Sequence, residues 1–153
     1  MKKESFLIIG GTGQYGITLS HLLIQKKINV FITSRFEKKI EFLKKKYPRI
    51  NFIKLSVYNK NQIQKILTRI KPSTIFYFAG QSSPQISFYK KDETLKSNFQ
   101  GCKNVLEVVF KNKLNLKFVN ATSSEMYGHI KGKIDLNTPC LLYTSPSPRD
   151  RVQ

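Results

Sequence analysis

Two stretches of this 153-residue chain carry residue types at spacings that could do chemistry. The first is Gly10-Gly11-Thr12-Gly13-Gln14-Tyr15-Gly16, directly after the apolar run Phe6-Leu7-Ile8-Ile9 and directly before a segment of helical period. A glycine pattern between a strand and a helix points to a dinucleotide. Gly10 would permit the tight turn. Gly13 would let peptide N–H groups approach a pyrophosphate at the helix N-terminus, where the dipole favours an anion. Gly16 would allow close packing of helix on sheet. Thr12, Gln14 and Tyr15 share the turn and are candidate contacts. A glycine-rich turn without a ligand is the plain alternative. The second stretch is Asn120-Ala121-Thr122-Ser123-Ser124-Glu125-Met126-Tyr127-Gly128, which closes another apolar run. It offers a hydroxyl at Ser123 and a carboxylate at Glu125. A carboxylate can remove a proton when a closed site tunes its pKa, whereas an isolated Glu near a loop is otherwise a capping or surface group.

Three further segments belong to the same reading. Thr33-Ser34-Arg35 stands where an acidic side chain would accept hydrogen bonds from the ribose of NAD. A guanidinium there can grip a 2′-phosphate through two bonds, so NADP is expected, with a plain surface cation as the alternative. Ser56-Val57 follows the third apolar run, at the carboxyl end of a strand where a ligand is expected. Ala79-Gly80-Gln81-Ser82-Ser83-Pro84-Gln85-Ile86-Ser87-Phe88 follows the fourth. Its small residues Ala79 and Gly80 would let backbone approach the cofactor, and the whole polar stretch could equally be a solvated loop. Two cysteines, Cys102 and Cys140, are too few and too far apart for a metal site or a disulfide framework; Cys102 lies on an apolar helix face and reads as a core thiol. No metal is expected.

The elements that must position these residues alternate between two periods. Strands are expected at 6–9, 29–33, 51–55, 74–79 and 116–121, each a short apolar run. Leu19, Leu22 and Leu23 mark one helix face. Phe36, Ile40, Leu43 and Tyr47 mark a second, ended by Pro48. Ile63, Ile66, Leu67 and Ile70 mark a third, and Leu95, Phe99, Cys102, Leu106 and Val109 a long fourth. Such alternation predicts an α/β fold with a doubly wound parallel Rossmann-type sheet of strand order 3-2-1-4-5. The ligand would sit at the carboxyl ends of the strands, near the switch point between the first and the fourth.

The Gly-x-x-Gly-x-x-Gly spacing resembles the extended short-chain dehydrogenase/reductase (NAD-dependent epimerase/dehydratase) family, and Gly-x-Thr-Gly-Gln-x-Gly resembles its GDP-mannose dehydratase group. Ala79 to Phe88 resembles that family's Ala-Ala-Gln-Ser-His-x-x-x-Ser-Phe loop, with Ser83 in place of the histidine. Asn98 and Gly101 fit the same resemblance, with Asn98 expected as a buried link from helix to loop. The Ser124-Glu125 pair is similar to the GDP-mannose branch; epimerases usually lack the glutamate, and dehydratases of dTDP-glucose usually carry Asp-Glu. Two departures stand out: Phe36 replaces the family's usual second arginine and Ser56 replaces an aspartate. The resemblance covers residues 1 to about 139. It implies NADP as cofactor, Glu125 as the base at the sugar C5, Ser123 as a hydrogen-bond donor to the 4-OH, Ser82 and Ser87 at the sugar, a GDP-mannose substrate and a homo-oligomeric full-length enzyme. A related epimerase or 4-keto-sugar reductase, and a non-catalytic NADP-binding module, are the alternatives.

The family keeps a Tyr-x-x-x-Lys pair in the helix beyond Gly132–Pro139, and the chain does not show it there: Tyr143 is followed four residues later by Ser147. Residues 140–153 contain no lysine, isoleucine or asparagine in a chain full of all three, and Ser-Pro-Ser-Pro-Arg-Asp has neither period. They are expected to be a non-native linker or a disordered tail, leaving 1–139 as a partial NADP-binding domain that ends before the last strands and the substrate domain. Binding of NADP without dehydratase turnover follows. The net charge of +18 is spread over several helices, as in Lys38-Lys39 and Lys44-Lys45-Lys46, with no aromatic-interleaved basic stripe. A nucleic-acid partner is therefore not expected. No apolar run reaches the ~18 residues of a membrane span, and the short run after Met1-Lys2-Lys3-Glu4 is no signal-peptide core, so cytoplasm is the expected location.

Overall fold

Alternating apolar residues of the central strand are what divide this protein into two packed layers. The computed structural model describes residues 4–122, 124–127 and 132–139. Strand β1 (Ser5–Ile9) buries Leu7, Ile8 and Ile9 to 1% exposure or less. Successive side chains of a strand point to opposite faces. Leu7 and Ile9 accordingly join one core cluster, with Ile75, Ile63, Leu67, Val105 and Val109, while Ile8 joins the other, with Val30, Ile32, Ile40 and Leu43. A strand covered on both faces has to be apolar throughout, which is the composition of parallel sheets.

Four more strands complete the sheet: β2 (Asn29–Ser34), β3 (Asn51–Lys54), β4 (Thr74–Tyr77) and β5 (Lys117–Asn120). All neighbours pair in parallel, and the order is β3-β2-β1-β4-β5, as expected. Helices α1 (Gln14–Gln25) and α2 (Glu37–Lys46) supply Leu23, Ile40 and Leu43 to one core cluster. Helices α3 (Lys60–Ile70) and α6 (Gly101–Lys111) supply Ile63, Ile66, Leu67, Val105 and Val108 to the other. Asn59 caps α3 by accepting from the Gln62 N–H at 3.0 Å. No helix among the described residues is long and apolar enough to cross a membrane.

Several expected core positions are on the surface instead. Phe36 is 57% exposed because it precedes α2 in an extended conformation rather than lying on its inner face. Leu22 is exposed while Leu23 and Ser20 pack inward. On the fourth helical stretch Leu95 and Phe99 are exposed, and Cys102, Val105, Val108 and Val109 are buried. The long helix expected there is two helices, α5 (Lys91–Leu95) and α6, joined by a π-helical turn at Lys96–Gln100. One extra residue in a turn rotates everything beyond it by roughly 100°, so a face drawn with uniform period cannot stay inward on both sides. The stretch read as a loop also contains a short helix, α4 (Pro84–Tyr89), with Pro84 in its first turn and the Ser83 hydroxyl accepting from the Ile86 N–H at 3.4 Å.

The chain divides into two compact units, Met1–Asn120 and Ala121–Gln153. In the second, Ser124–Tyr127 form a 3₁₀ turn. Further on, Asp135 makes an Asx turn in which its carboxylate accepts from the Asn137 N–H at 2.8 Å. The expected boundary at 139/140 falls where the described residues end.

Truncating Ile75, fully buried at the centre of one core layer, is expected to cost about 2–5 kcal/mol. Urea denaturation of Ile75→Ala measures it, and a loss below 1 kcal/mol would show that the layer collapses around the gap.

Candidate functional site

The turn from β1 into α1 is shaped by backbone crowding. Gly10 has φ +76°, in the region that L side chains avoid, and a Cβ there would lie 2.5 Å from the Ala79 backbone. Its N–H donates to the Thr33 hydroxyl at 3.4 Å, which ties the turn to β2. A Cβ on Gly16 would collide with the backbone of Gly11. Gly16 thus lets the first turn of α1 press on the glycine turn itself, rather than on the sheet as expected. Packing on the sheet falls to Gly11, whose Cβ would lie 2.6 Å from the Ile8 side chain. Gly13 differs from these: nothing stands within 4 Å of where its Cβ would be, and its φ of −85° suits any residue. No side chain caps α1, and no acidic residue occupies its first turn. Among the described residues, the amides of Gln14 and Tyr15 have no loop or cap acceptor, while the Gly13 carbonyl takes the Ile17 N–H at 3.1 Å. The positive end of a helix dipole with free amides lies beside an open glycine, the arrangement that receives an anion.

A cleft of about 230 Å³ opens at the carboxyl ends of β1, β2, β3 and β4. Gly10, Thr12, Arg35, Ser56, Val57, Ala79, Gly80 and Gln81 all line it. Gln14 and Tyr15 are solvent-exposed beside Gly13 on the turn, and Gly16 is buried. Ser34 and Phe36, which flank Arg35, also line the cleft, as do Lys39, Tyr58, Glu93 and Ser97, which the sequence patterns did not single out. A larger, more open depression of about 770 Å³ lies at the β3 edge, around Ser5, Asn29, Asn51 and Ile70, away from the glycine turn. No group of three metal-ligating side chains occurs among the described residues.

The electrostatics of the cleft centre on Arg35. Its guanidinium lies 4.7 Å from the centroid of the Phe36 ring and 3.4 Å from the Glu93 carboxylate. The Lys90 ammonium beside Glu93, and then Arg35, hold that carboxyl below the usual carboxylate range, so Glu93 is charged at neutral pH. Ser56 lines the cleft, and its N–H donates to the side-chain oxygen Oε1 of Gln62 at 3.2 Å. The Val57 carbonyl accepts from the Asn104 side chain at 3.0 Å.

The loop after β4 is held from the π turn. Asn98 accepts the Gln81 N–H at 2.6 Å and donates to the Gln81 carbonyl at 3.0 Å, so one side chain pairs both polar groups of a loop residue. It links helix to loop as expected, but from an exposed position rather than a buried one. The Tyr77 hydroxyl donates to the Ser97 carbonyl at 3.1 Å, and burial pushes its phenol well above the ordinary range. A Cβ on Gly101 would stand 2.5 Å from that hydroxyl, so the helix can pass only where a side chain is missing. Ser82 is exposed and Ser87 half-buried on α4; neither lines the cleft. Ser123 lies outside the described residues. Glu125 belongs by its backbone to the 3₁₀ turn, and its side chain lies outside the described atoms. Tyr127 and Lys131 do stand four residues apart, but only just past Glu125, and Lys131 is outside the described residues.

A doubly wound parallel sheet with an uncapped glycine turn at its switch point defines the dinucleotide-binding class of α/β proteins. The model of the family described as GDP-mannose 4,6 dehydratase matches residues 7–144. The chain belongs to that family, within the extended short-chain dehydrogenase/reductase (NAD-dependent epimerase/dehydratase) enzymes. Its relatives do not share one reaction. It is 28% identical over 127 residues to a UDP-N-acetyl-alpha-D-glucosaminuronate decarboxylase of Bacillus cytotoxicus, matching 82% of this chain and 38% of that protein. It is also 28% identical over 136 residues to a GDP-mannose 4,6 dehydratase of Drosophila melanogaster, matching 81% of this chain and 34% of that protein. Among solved structures, the Thermus thermophilus UDP-glucose 4-epimerase in complex with NAD superposes with a TM-score of 0.74 at 17% identity, over 89% of this chain and 44% of that one. The chain therefore spans well under half the length of these relatives.

Replacing Asn98 by alanine leaves the Gln81 N–H without its acceptor. Hydrogen exchange at that amide is expected to quicken roughly tenfold, the effect of about 1.4 kcal/mol, while the Ile63 amide bonded inside the α3 cap stays unchanged. Equal exchange at Gln81 in both proteins would show that the loop is held by other contacts.

Proposed function

We propose that residues 4–120 bind NADP, and that the chain is the cofactor-binding part of a nucleotide-sugar 4,6-dehydratase acting on GDP-mannose. The observation that carries the cofactor reading is the turn at Gly10–Gly16: open space at Gly13, uncapped first-turn amides of α1, and a cleft that begins at Gly10. These features suit a diphosphate, whose charge the helix end favours and whose bulk requires a bare backbone. The residues fit the rest of the group as well. All of the following line the cleft: Ser56, Val57 and Tyr58 would border the adenine, Arg35 the 2′-phosphate, and Ala79, Gly80 and Gln81 the remainder of the cofactor. A relative carrying NAD on the same fold supports a nicotinamide dinucleotide, and Arg35 in place of an acid supports the phosphorylated form.

When bound, the nicotinamide supplies reversible hydride acceptance. The chain's own part is to hold and orient it, and to move a proton. Glu125 would remove the proton from the sugar C5 once C4 is a ketone, which lets hydroxide leave from C6 as water after protonation. The Ser123 hydroxyl would donate to the sugar 4-oxygen. The Ser-Glu pair and the matching family model support this substrate. A second reading, NAD in a related epimerase or decarboxylase, is favoured by one observation: Glu93 lines the cleft as a charged carboxylate able to accept from ribose hydroxyls.

Gly13→Ala separates a ligand site from a mere turn. An alanine fits the local φ and the open space, so stability is expected to fall by no more than about 1 kcal/mol, the cost of replacing an N-cap glycine, while affinity for dinucleotide falls about tenfold or more. Calorimetric titration beside thermal melting reads both. Unaltered affinity would remove the phosphate role of the turn. Wild-type chain is expected to bind NADP more tightly than NAD and to form no 4-keto-6-deoxy sugar nucleotide from GDP-mannose, because a Tyr-x-x-x-Lys pair is not found in the position where the family keeps it. Equal affinities favour the second reading, and keto-sugar formation would show that other groups replace the pair.

A further inference from the structure

We infer that Lys39 is the second cation of the 2′-phosphate subsite, serving the purpose that Phe36 cannot. The inference rests on the dinucleotide reading of the cleft. Ser34, Arg35, Phe36 and Lys39 all line the same wall, where β2 passes into α2. Phe36 carries no charge, but its ring lies under the Arg35 guanidinium and limits where that group can swing. In the free protein Arg35 faces a charged carboxylate, Glu93, which Lys90 shares, so its charge is balanced in part. Lys39 enters no ion pair among the described residues: of the two acids that flank it at two residues on α2, Glu37 is bonded to Lys54, and Glu41 forms no ion pair with it. Lys39 thus adds an unpaired positive charge to the cleft wall.

Position and partners agree with this role. Lys39 is the third residue of α2 and stands four residues after Arg35, which brings both cations to one mouth of the cleft. A cation in the first helical turn works against the helix dipole. Together with that dipole, it makes a site suited to a dianion rather than to a neutral hydroxyl. Ser34 is 6% exposed, lines the cleft, and accepts the Phe36 N–H at 3.2 Å, which leaves its own hydroxyl proton to donate. Two cations and one hydroxyl donor therefore surround the place where the two cofactors differ. An ammonium adds attraction to a phosphate and little to a ribose hydroxyl, so Lys39 discriminates between NADP and NAD without holding the rest of either.

The test titrates NADP and NAD separately into wild type, Lys39→Gln, Lys39→Arg and Lys38→Gln. Lys38 shares the first turn of α2 but does not line the cleft. Lys39→Gln is expected to lower the preference for NADP over NAD about tenfold, the loss of one charge-assisted contact, with NAD affinity unchanged. Lys39→Arg restores the preference, and Lys38→Gln leaves it intact. Both positions, Lys38 and Lys39, are exposed, and melting curves check that the fold is kept in all three variants. If wild type prefers NADP and Lys39→Gln keeps the same ratio, or loses affinity for both cofactors alike, the role of Lys39 is overturned and the cofactor reading stands. If wild type shows no preference or binds neither, the NADP reading fails and the role of Lys39 fails with it.

Discussion

Backbone pressed on backbone is the constraint on which the rest of this protein depends. Gly16 meets Gly11 and Gly10 meets Ala79 at separations that no side chain would allow. The first contact draws the start of α1 onto the glycine turn, and the second draws that turn onto the exit of β4. The result is a helix N-terminus placed at the carboxyl ends of the central strands, with first-turn amides that the described residues leave without loop or cap acceptors. Unpaired amides normally cost stability, and solvent or an anion must satisfy them. The arrangement is therefore a standing preference for negative charge at one place.

That place exists because the sheet is covered on both sides. β1 lies in the middle with β2 and β4 as neighbours, and its three buried apolar residues feed both core layers. Helices α1 and α2 close one face, α3 and α6 the other. With both faces and the central strands shut to water, the open end of the sheet is where polar groups can meet a ligand. The reversal of strand order between β1 and β4 separates the loops there, and the cleft occupies the gap.

The π turn at Lys96–Gln100 supports the far wall of that cleft. Widening a helix by one residue sacrifices regular hydrogen bonding, and here the loss is compensated by tertiary partners. The Ser97 carbonyl takes the Tyr77 hydroxyl, and Asn98 is turned so that it pairs with both polar groups of Gln81. Helix α5, just before it, presents Glu93 to Arg35 across the cleft. The π turn thus fixes the loop after β4, and the short helix that leads into it offsets part of the charge at the end of β2.

Local pattern alone determined the alternation of strands and helices, the parallel order 3-2-1-4-5, the glycine turn and part of the cleft lining. Each of these follows from hydrophobic period, glycine placement and the handedness of crossovers, all of which act over short stretches of chain. The stretch read as a loop contains α4, and its Ser83 N-cap and following Pro84 are local signals that the loop reading did not use. Tertiary structure decided what short-range signals do not contain. It exchanged the expected roles of Gly11 and Gly16, because which backbone lies opposite a glycine depends on packing. It turned the expected apolar face outward at Leu95 and Phe99, because a π turn held by Tyr77 and Gln81 from elsewhere in the fold interrupts the helix. It also paired Arg35 with Glu93, 58 residues away, and brought Lys39 to the same wall. Charge balance in a cleft is a sum over groups distant in sequence, and only the folded chain performs that sum.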